Sequence, residues 1–193
     1  MQGVVVLAGG KSRRMGQDKA FLPLEKGDFL STVCGHFQQW EERLLSVGTR
    51  IPPDCHGFTP IPDLVLDRGP LGGIYTGLTA CRSSHLLVVG CDMPFFSEEL
   101  GRYLIHACQE KGDQACVLTG REGKLRPLGA VYAKTALPAF MRQIHSQDFC
   151  LLTVLRQLSV RVIALEETGF EERELININT REEYERLCGV RRI

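Results

Sequence analysis

Val4-Val5-Val6-Leu7-Ala8-Gly9-Gly10-Lys11-Ser12-Arg13-Arg14-Met15-Gly16-Gln17-Asp18-Lys19 is an apolar run that breaks into a glycine-rich, basic loop. The run has the length and β-branching of a buried strand. Three glycines among the thirteen residues from Leu7 to Lys19 let the backbone approach a ligand where a Cβ would collide. The N–H groups of such a loop can point at anionic oxygens, and Arg14 and Lys19 add full positive charge to those partial charges. The stretch therefore reads as a phosphate-gripping loop at the carboxyl end of a strand. Adjacent Gly9 and Gly10 break the G-x-G-x-x-G of dinucleotide-binding folds, and Gly10-Lys11-Ser12 does not end a Walker A spacing, Val5 standing where its first Gly would be. A dinucleotide dehydrogenase and a P-loop hydrolase are both disfavoured.

Outward from this loop, apolar runs at 44–47, 86–89, 115–118, 128–132, 160–165 and 175–178 read as further buried strands. Helical patterns lie between them. Leu30, Val33, Cys34, Phe37, Trp40 and Leu44 recur at helical spacing after Asp28, a residue type that caps helix starts. Ser97 before Glu98 and Glu99 begins another helix, and Thr180 with Glu183 makes a capping box for a last one through Leu187. The alternation predicts a three-layer α/β/α sandwich with a Rossmann-like, mainly parallel sheet, whose ligands bind at the carboxyl ends of the strands.

At 193 residues and 44% hydrophobic content the chain can bury one substantial core, and no Pro/Gly/Ser-rich linker divides it, so residues 1–193 read as a single domain. Lys plus Arg and Asp plus Glu both number 23, which removes the basic excess expected of a nucleic-acid or membrane-surface binder. Small molecules are the expected partners. The apolar start is too short for a signal peptide and no run is long enough for a membrane span, so the expected compartment is the cytoplasm. Eight cysteines form no C-x-x-C pair or zinc-type cluster and read as reduced, mostly structural thiols.

Three further segments carry chemistry. Leu86 to Pro94 is a strand that ends in one carboxylate, Asp92, the kind of hard oxygen ligand that a phosphate-bound Mg²⁺ uses; the competing reading is an Asp that shapes the turn before Pro94. In Asp63 to Ile74, Gly69 to Gly73 opens a helix with Pro70 near its first turn. Asn177 and Asn179 lie two residues apart, on the same face of a strand's end, just before the Thr180 cap.

The glycine loop resembles the signature of the nucleotidyltransferase superfamily, L-A-G/A-G-x-S-x-R-M-G-x-x-K after the first strand. Its Ala-Gly-Gly form is similar to that of the molybdenum cofactor guanylyltransferases within that group. Cys91-Asp92-Met93-Pro94 resembles the family's C-D-x-P strand end, Asp63 followed by Gly69-Pro70-Leu71-Gly72-Gly73 its D…G-P-L-A/G-G segment, and Asn177-Ile178-Asn179-Thr180 its N-V-N-T. The resemblance implies the nucleotide-diphospho-sugar transferase fold and transfer of GMP from GTP to the phosphate of molybdenum-molybdopterin cofactor, giving molybdopterin guanine dinucleotide and pyrophosphate. It implies Mg²⁺ as cofactor, and leaves room for a cofactor-delivery or apo-molybdoenzyme protein as a partner.

By the same resemblance, Arg14, Lys19 and Asp92 are the catalytic residues. Leu7, Ala8, Gly9, Gly10, Lys19, Asp63, Gly72 and Asp92 bind the nucleotide, with Asp67 competing for the role of Asp63. Asp92 with Asn179 holds the metal, and Arg126, Asn177 and Asn179 meet the acceptor. Two departures stand out. Around Ser146 to Leu152 the family commonly has a Gly followed by Arg residues, where this chain has Gln147-Asp148-Phe149-Cys150; and Val47 is followed by Gly48-Thr49-Arg50 instead of Asn. A phosphate acceptor is already ionised at neutral pH, so attack on the α-phosphorus needs no general base, in keeping with the lack of a poised His or Glu. The alternatives are a CTP-dependent molybdopterin cytidylyltransferase, a sugar-phosphate nucleotidylyltransferase and a non-catalytic GTP-binding protein, the last lacking an N-K-x-D motif.

Overall fold

The computed structural model describes residues 1–9, 19–24 and 27–189. Among them, β1 (Gly3–Leu7), β4 (Glu42–Ser46), β5 (Thr59–Ile61), β6 (His85–Gly90), β7 (Ala115–Thr119), β8 (Leu125–Ala133) and β9 (Val160–Ala164) form one sheet in the order β5-β4-β1-β6-β8-β7-β9. β8 runs antiparallel to both its neighbours, and the other pairings are parallel. A separate two-stranded ribbon joins β2 (Pro23–Leu24) to β3 (Gly27–Asp28). This is the expected α/β/α sandwich with a mainly parallel sheet.

The chain runs from β1 to β4 on one side and then to β6 on the other. The carboxyl ends of β1, β4 and β6 therefore frame the topological switch point where α/β proteins bind ligands.

Both sheet faces are covered, which is why residues 4–7 of β1 and 86–89 of β6 are continuously apolar instead of alternating. Val4, Val6, Leu87 and Val89 pack into one core with α1 (Phe29–His36) and α3 (Glu98–Lys111). Val5, Leu86 and Val88 face the opposite core, with α2 (Pro70–Ala80), α4 (Leu137–Ile144) and α5 (Leu151–Leu155). Asp28 and Ser31 form a reciprocal cap on α1, Ser97 caps α3, and Thr180 with Glu183 boxes the start of α6 (Arg181–Leu187). Burial pushes the thiols of Cys34 and Cys116 up to about 12 and those of Cys81 and Cys108 up to about 11, so these four are inert packing groups at neutral pH. Among the described residues, no helix is long and apolar enough to cross a membrane.

Three sequence expectations are corrected. The helix read from Leu30 to Leu44 ends at His36; Phe37 and Trp40 are buried because a turn swings them into the core, edge to face with each other, and Leu44 belongs to β4. The strand expected at 175–178 is absent among the described residues. A 3-10 turn at Glu172–Leu175 leads into irregular chain, whose apolar Leu175 and Ile178 are buried by docking on the β6 end through the Ile178 N–H to Asp92 carbonyl bond of 2.9 Å. Asn177 and Asn179 therefore do not share a strand face. β5 escapes sequence reading because it is a three-residue edge strand centred on Pro60.

Glu42 pins the amino end of the sheet. It is 5% exposed and accepts from Arg82 N–H (2.7 Å), Ser83 N–H (2.9 Å) and the Ser83 hydroxyl (2.6 Å). Gly3 makes room for it, since a Cβ there would stand 2.6 Å from Ser83 Oγ and 3.0 Å from Glu42 Oε2. Burial pushes the Glu42 carboxyl up, but the Ser83 hydroxyl, the two N–H donors and the Arg82 charge prevail and hold it below the ordinary 4.5. A lowered folded pKa stabilises above the unfolded value, and that contribution is lost as pH falls through the folded one. Glu42→Gln leaves donors facing an amide and is expected to cost about 2–3 kcal/mol at pH 7, with less acid sensitivity below pH 4.5. Urea midpoints across pH test this; an unchanged pH dependence in the variant would sink it.

Candidate active site

Three residues far apart in sequence converge beside the carboxyl end of β6. Lys19 opens a 3-10 turn at Lys19–Phe21, and its Nζ donates to Asp92 Oδ2 at 3.1 Å and to Asn179 Oδ1 at 2.9 Å. The Lys19 and Asp92 side chains are 13% and 18% exposed, so the pair sits largely out of bulk water, where a charge contact is stronger than at the surface.

Asp92 is aimed by its backbone. Cys91 N–H bonds to the Leu7 carbonyl (3.1 Å), Met93 N–H to the Gly90 carbonyl (3.1 Å), and His36 Nε2 meets the Pro94 carbonyl (3.0 Å). Asp92 Oδ1 lies against Gly90 where any Cβ would collide, which accounts for glycine at the last position of β6. Asn179 is delivered by the Ile178 to Asp92 backbone bond and by the α6 cap, Glu183 Oε2 accepting from Asn179 N–H at 2.6 Å. The Glu174 carboxylate accepts from Ser97 N–H and braces the same segment.

Next to the Lys19 turn lies a cavity of about 700 Å³, within the range of small-molecule sites. Ala8, Gly9, Ala20, Gly48, Asp63 and Asp67 are among its lining residues. Gly9 is packed so closely that a Cβ would stand 2.6 Å from Gly48 N. Asp63 is tied to β4, its N–H bonding to the Gly48 carbonyl (3.0 Å) and its Oδ1 accepting from Ser46 Oγ (2.6 Å).

Of the residues singled out by sequence, Lys19, Asp92 and Asn179 form one cluster, and Ala8, Gly9 and Asp63 line the adjoining cavity. Leu7 ends β1 and contributes its carbonyl to the Asp92 turn. Gly72 lies in the first turn of α2, where a Cβ would meet the Val65 carbonyl at 2.7 Å, so it lets the 63–69 loop close on the helix. Gly10 and Arg14 lie outside the described residues. Asn177 is half-buried, and it is Asn179, not Asn177, that Lys19 holds. Arg126 stands on β8 beside Gly120, its Nε buried without an acceptor among the described residues.

Sequence reading did not assign Thr49, Arg50 or Leu66 to the cavity wall, and it offered Asp67 only as a competitor to Asp63. The first two follow a strand adjacent to β1, so a correct strand order would have found them. Asp67 adopts φ +58, a strained value for a side-chain-bearing residue that no sequence pattern announces.

Among the described residues, no three His, Cys, Asp or Glu side chains cluster in a way that could hold a metal. Asp92 with the Asn179 amide oxygen is instead the sparse donor set that suits Mg²⁺, which takes one or two protein oxygens and fills its shell with phosphates and water.

Comparison with known proteins bears on family and fold. Residues 4–162 match the MobA-like NTP transferase domain family. A Pelotomaculum thermopropionicum protein named "Probable molybdenum cofactor guanylyltransferase" is 34% identical, over 91% of this chain and 86% of its own. The molybdenum cofactor guanylyltransferase of Syntrophotalea carbinolica is 30% identical, over 94% and 88%. The crystal structure of molybdopterin-guanine dinucleotide biosynthesis protein A from Archaeoglobus fulgidus superposes with a TM-score of 0.84 at 23% identity, covering 98% of each chain.

Proposed function

The chain belongs to the MobA-like NTP transferase family and is a nucleotidyltransferase, and we propose that it transfers GMP from GTP to the phosphate of molybdenum-molybdopterin cofactor, releasing pyrophosphate. The observation that carries this reading is the Lys19–Asp92–Asn179 cluster set beside a nucleotide-sized cavity at the switch point of the sheet. Relatives at 30–34% identity that bear the guanylyltransferase name support the choice of base and acceptor.

In this reading the cavity between Gly9 and Asp63 receives the nucleoside. Asp63 keeps Oδ1 on Ser46 and offers Oδ2 to a hydroxyl or amine of the ligand. Asp92 and Asn179 hold the divalent metal, assigned as Mg²⁺, which when bound neutralises the triphosphate. An oxygen of the acceptor phosphate bonds to the α-phosphorus while the bond to the β-phosphate oxygen breaks, and both electrons leave with pyrophosphate. No proton has to move. Lys19, and Arg14 from the loop outside the described residues, supply charge to the transferring and departing phosphates. Arg126 and Asn177 are assigned to the acceptor side.

The deciding experiment measures pyrophosphate release with Mg²⁺ and the molybdenum-bearing pterin, comparing GTP with CTP, ATP, UTP and dTTP against a control without acceptor. Acceptor-dependent release with GTP alone is expected. Release with CTP would move the base specificity, and release only with sugar phosphates would move the acceptor. Binding of GTP without any turnover would overturn the catalytic assignment.

A further inference from the structure

We propose that Arg68, seated on the ring of Phe149, is a phosphate-binding residue of the transfer reaction, an inference that rests on the guanylyl-transfer reading above. The Arg68 guanidinium carbon lies 4.1 Å from the centroid of the Phe149 ring. These residues belong to two different loops, and topology brings both to the ligand-binding edge of the sheet. Arg68 lies between the carboxyl end of β5 and the first turn of α2. β8 runs away from that edge, its Ala133 opposite His85 at the start of β6, so α4 climbs back and returns the 145–150 loop to it. The 146–152 segment holds no arginine of its own, and Arg68 brings one onto it from the loop that precedes α2.

Stacking leaves the donors of the guanidinium usable. The ring covers one face of the planar group, while its five N–H bonds lie in the plane and point outward. Arg68 Nε is buried and meets no acceptor among the described residues. A buried cationic donor in this condition is costly unless an oxyanion arrives to accept from it. The base of the side chain packs on the first turn of α2, Arg68 Cβ lying 3.3 Å from where a Cβ on Gly72 would stand. Arg68 does not itself line the nucleotide-sized cavity, but its chain neighbours Asp67 and Gly69 do, and a planar cation stacked on an aromatic ring there matches a phosphate, which an arginine fork can grip with two parallel bonds. Two phosphates in the reaction have this chemistry: that of the acceptor and the departing pyrophosphate.

Steady-state pyrophosphate release distinguishes them, with GTP and acceptor each varied and inorganic pyrophosphate as product inhibitor, in the wild-type protein and in the Arg68→Ala, Arg68→Lys, Phe149→Ala and Phe149→Tyr variants. Arg68→Ala is expected to weaken one phosphate-bearing partner by about tenfold or more, the scale of a lost charge-assisted hydrogen bond. A rise in acceptor KM assigns the acceptor phosphate, and a rise in GTP KM together with the pyrophosphate inhibition constant assigns the leaving group. Phe149→Ala should move the same constant by a smaller factor, Phe149→Tyr should leave it alone, and Arg68→Lys should recover part of the loss. If Arg68→Ala does not fold, Arg68→Lys carries the test, with a rise of about threefold expected because the charge stays and the fork is gone. All constants within about twofold of wild type, with only thermal stability lowered, would make the pair a structural clasp and overturn the proposal. A wild-type protein without turnover would remove the functional reading and the proposal with it; a fully active wild type with unaffected variants would remove the proposal alone.

Discussion

Asp92→Ala is expected to lower acceptor-dependent pyrophosphate release by about a hundredfold or more, the usual scale for removing a group that stabilises charge in the transition state. Asp92 is the single carboxylate in the Lys19–Asp92–Asn179 cluster, and Asn179 adds only a neutral oxygen. Removing Asp92 takes away the anionic ligand proposed for the metal and leaves the Lys19 ammonium, 13% exposed, with the Asn179 amide as its remaining partner in the cluster. The loss should fall mainly on kcat, because the proposed nucleoside site is the cavity lined by Gly9 and Asp63, on different loops. Asp92→Asn separates charge from shape: it keeps a side chain of the same size over Gly90 but should still lose most of the rate. Near-normal turnover in both variants, with Mg²⁺ saturating, would remove Asp92 from the chemistry.

The residues that sequence reading could find are those whose type is dictated locally. In this chain Gly9 and Gly72 pack against backbone, and Gly90 against Asp92, where a Cβ would crowd, so glycines at these turns are legible in one dimension. Asp28, Ser97 and Thr180 announce helix starts because capping needs only three or four successive residues. What escaped depends on partners that sequence spacing does not name. Phe37 and Trp40 continue the apolar period of α1 although the helix has ended, since packing rewards burial whatever the backbone does. Leu175 and Ile178 mimic a strand for the same reason. The Arg68–Phe149 contact joins residues 81 positions apart (149 − 68) through the packing of α2 beside α4, and neither residue type signals it.

Lys19→Ala is expected to move two observables in opposite directions. Turnover should fall by about a hundredfold or more, because the ammonium no longer meets the charge that builds on the phosphates during transfer. Metal affinity of the enzyme without nucleotide should instead rise. Lys19 Nζ donates to Asp92 Oδ2 and Asn179 Oδ1, the two oxygens proposed for the metal. A divalent ion must displace that ammonium and then tolerate it nearby. At partly buried sites a unit charge pair a few ångströms apart interacts by about 1–4 kcal/mol, enough for a change of about tenfold in affinity. In the proposed reaction the triphosphate offers Lys19 phosphate oxygens as acceptors, and the lysine is read as a placeholder before the substrate arrives and as a charge donor afterwards. Lys19→Arg should keep the competition but misplace the donor, and stay slow. Calorimetric titration with Mg²⁺ or Mn²⁺, beside single-turnover rates, reads both effects. A general structural defect at the cluster would lower affinity and rate together, and that result would end the placeholder role.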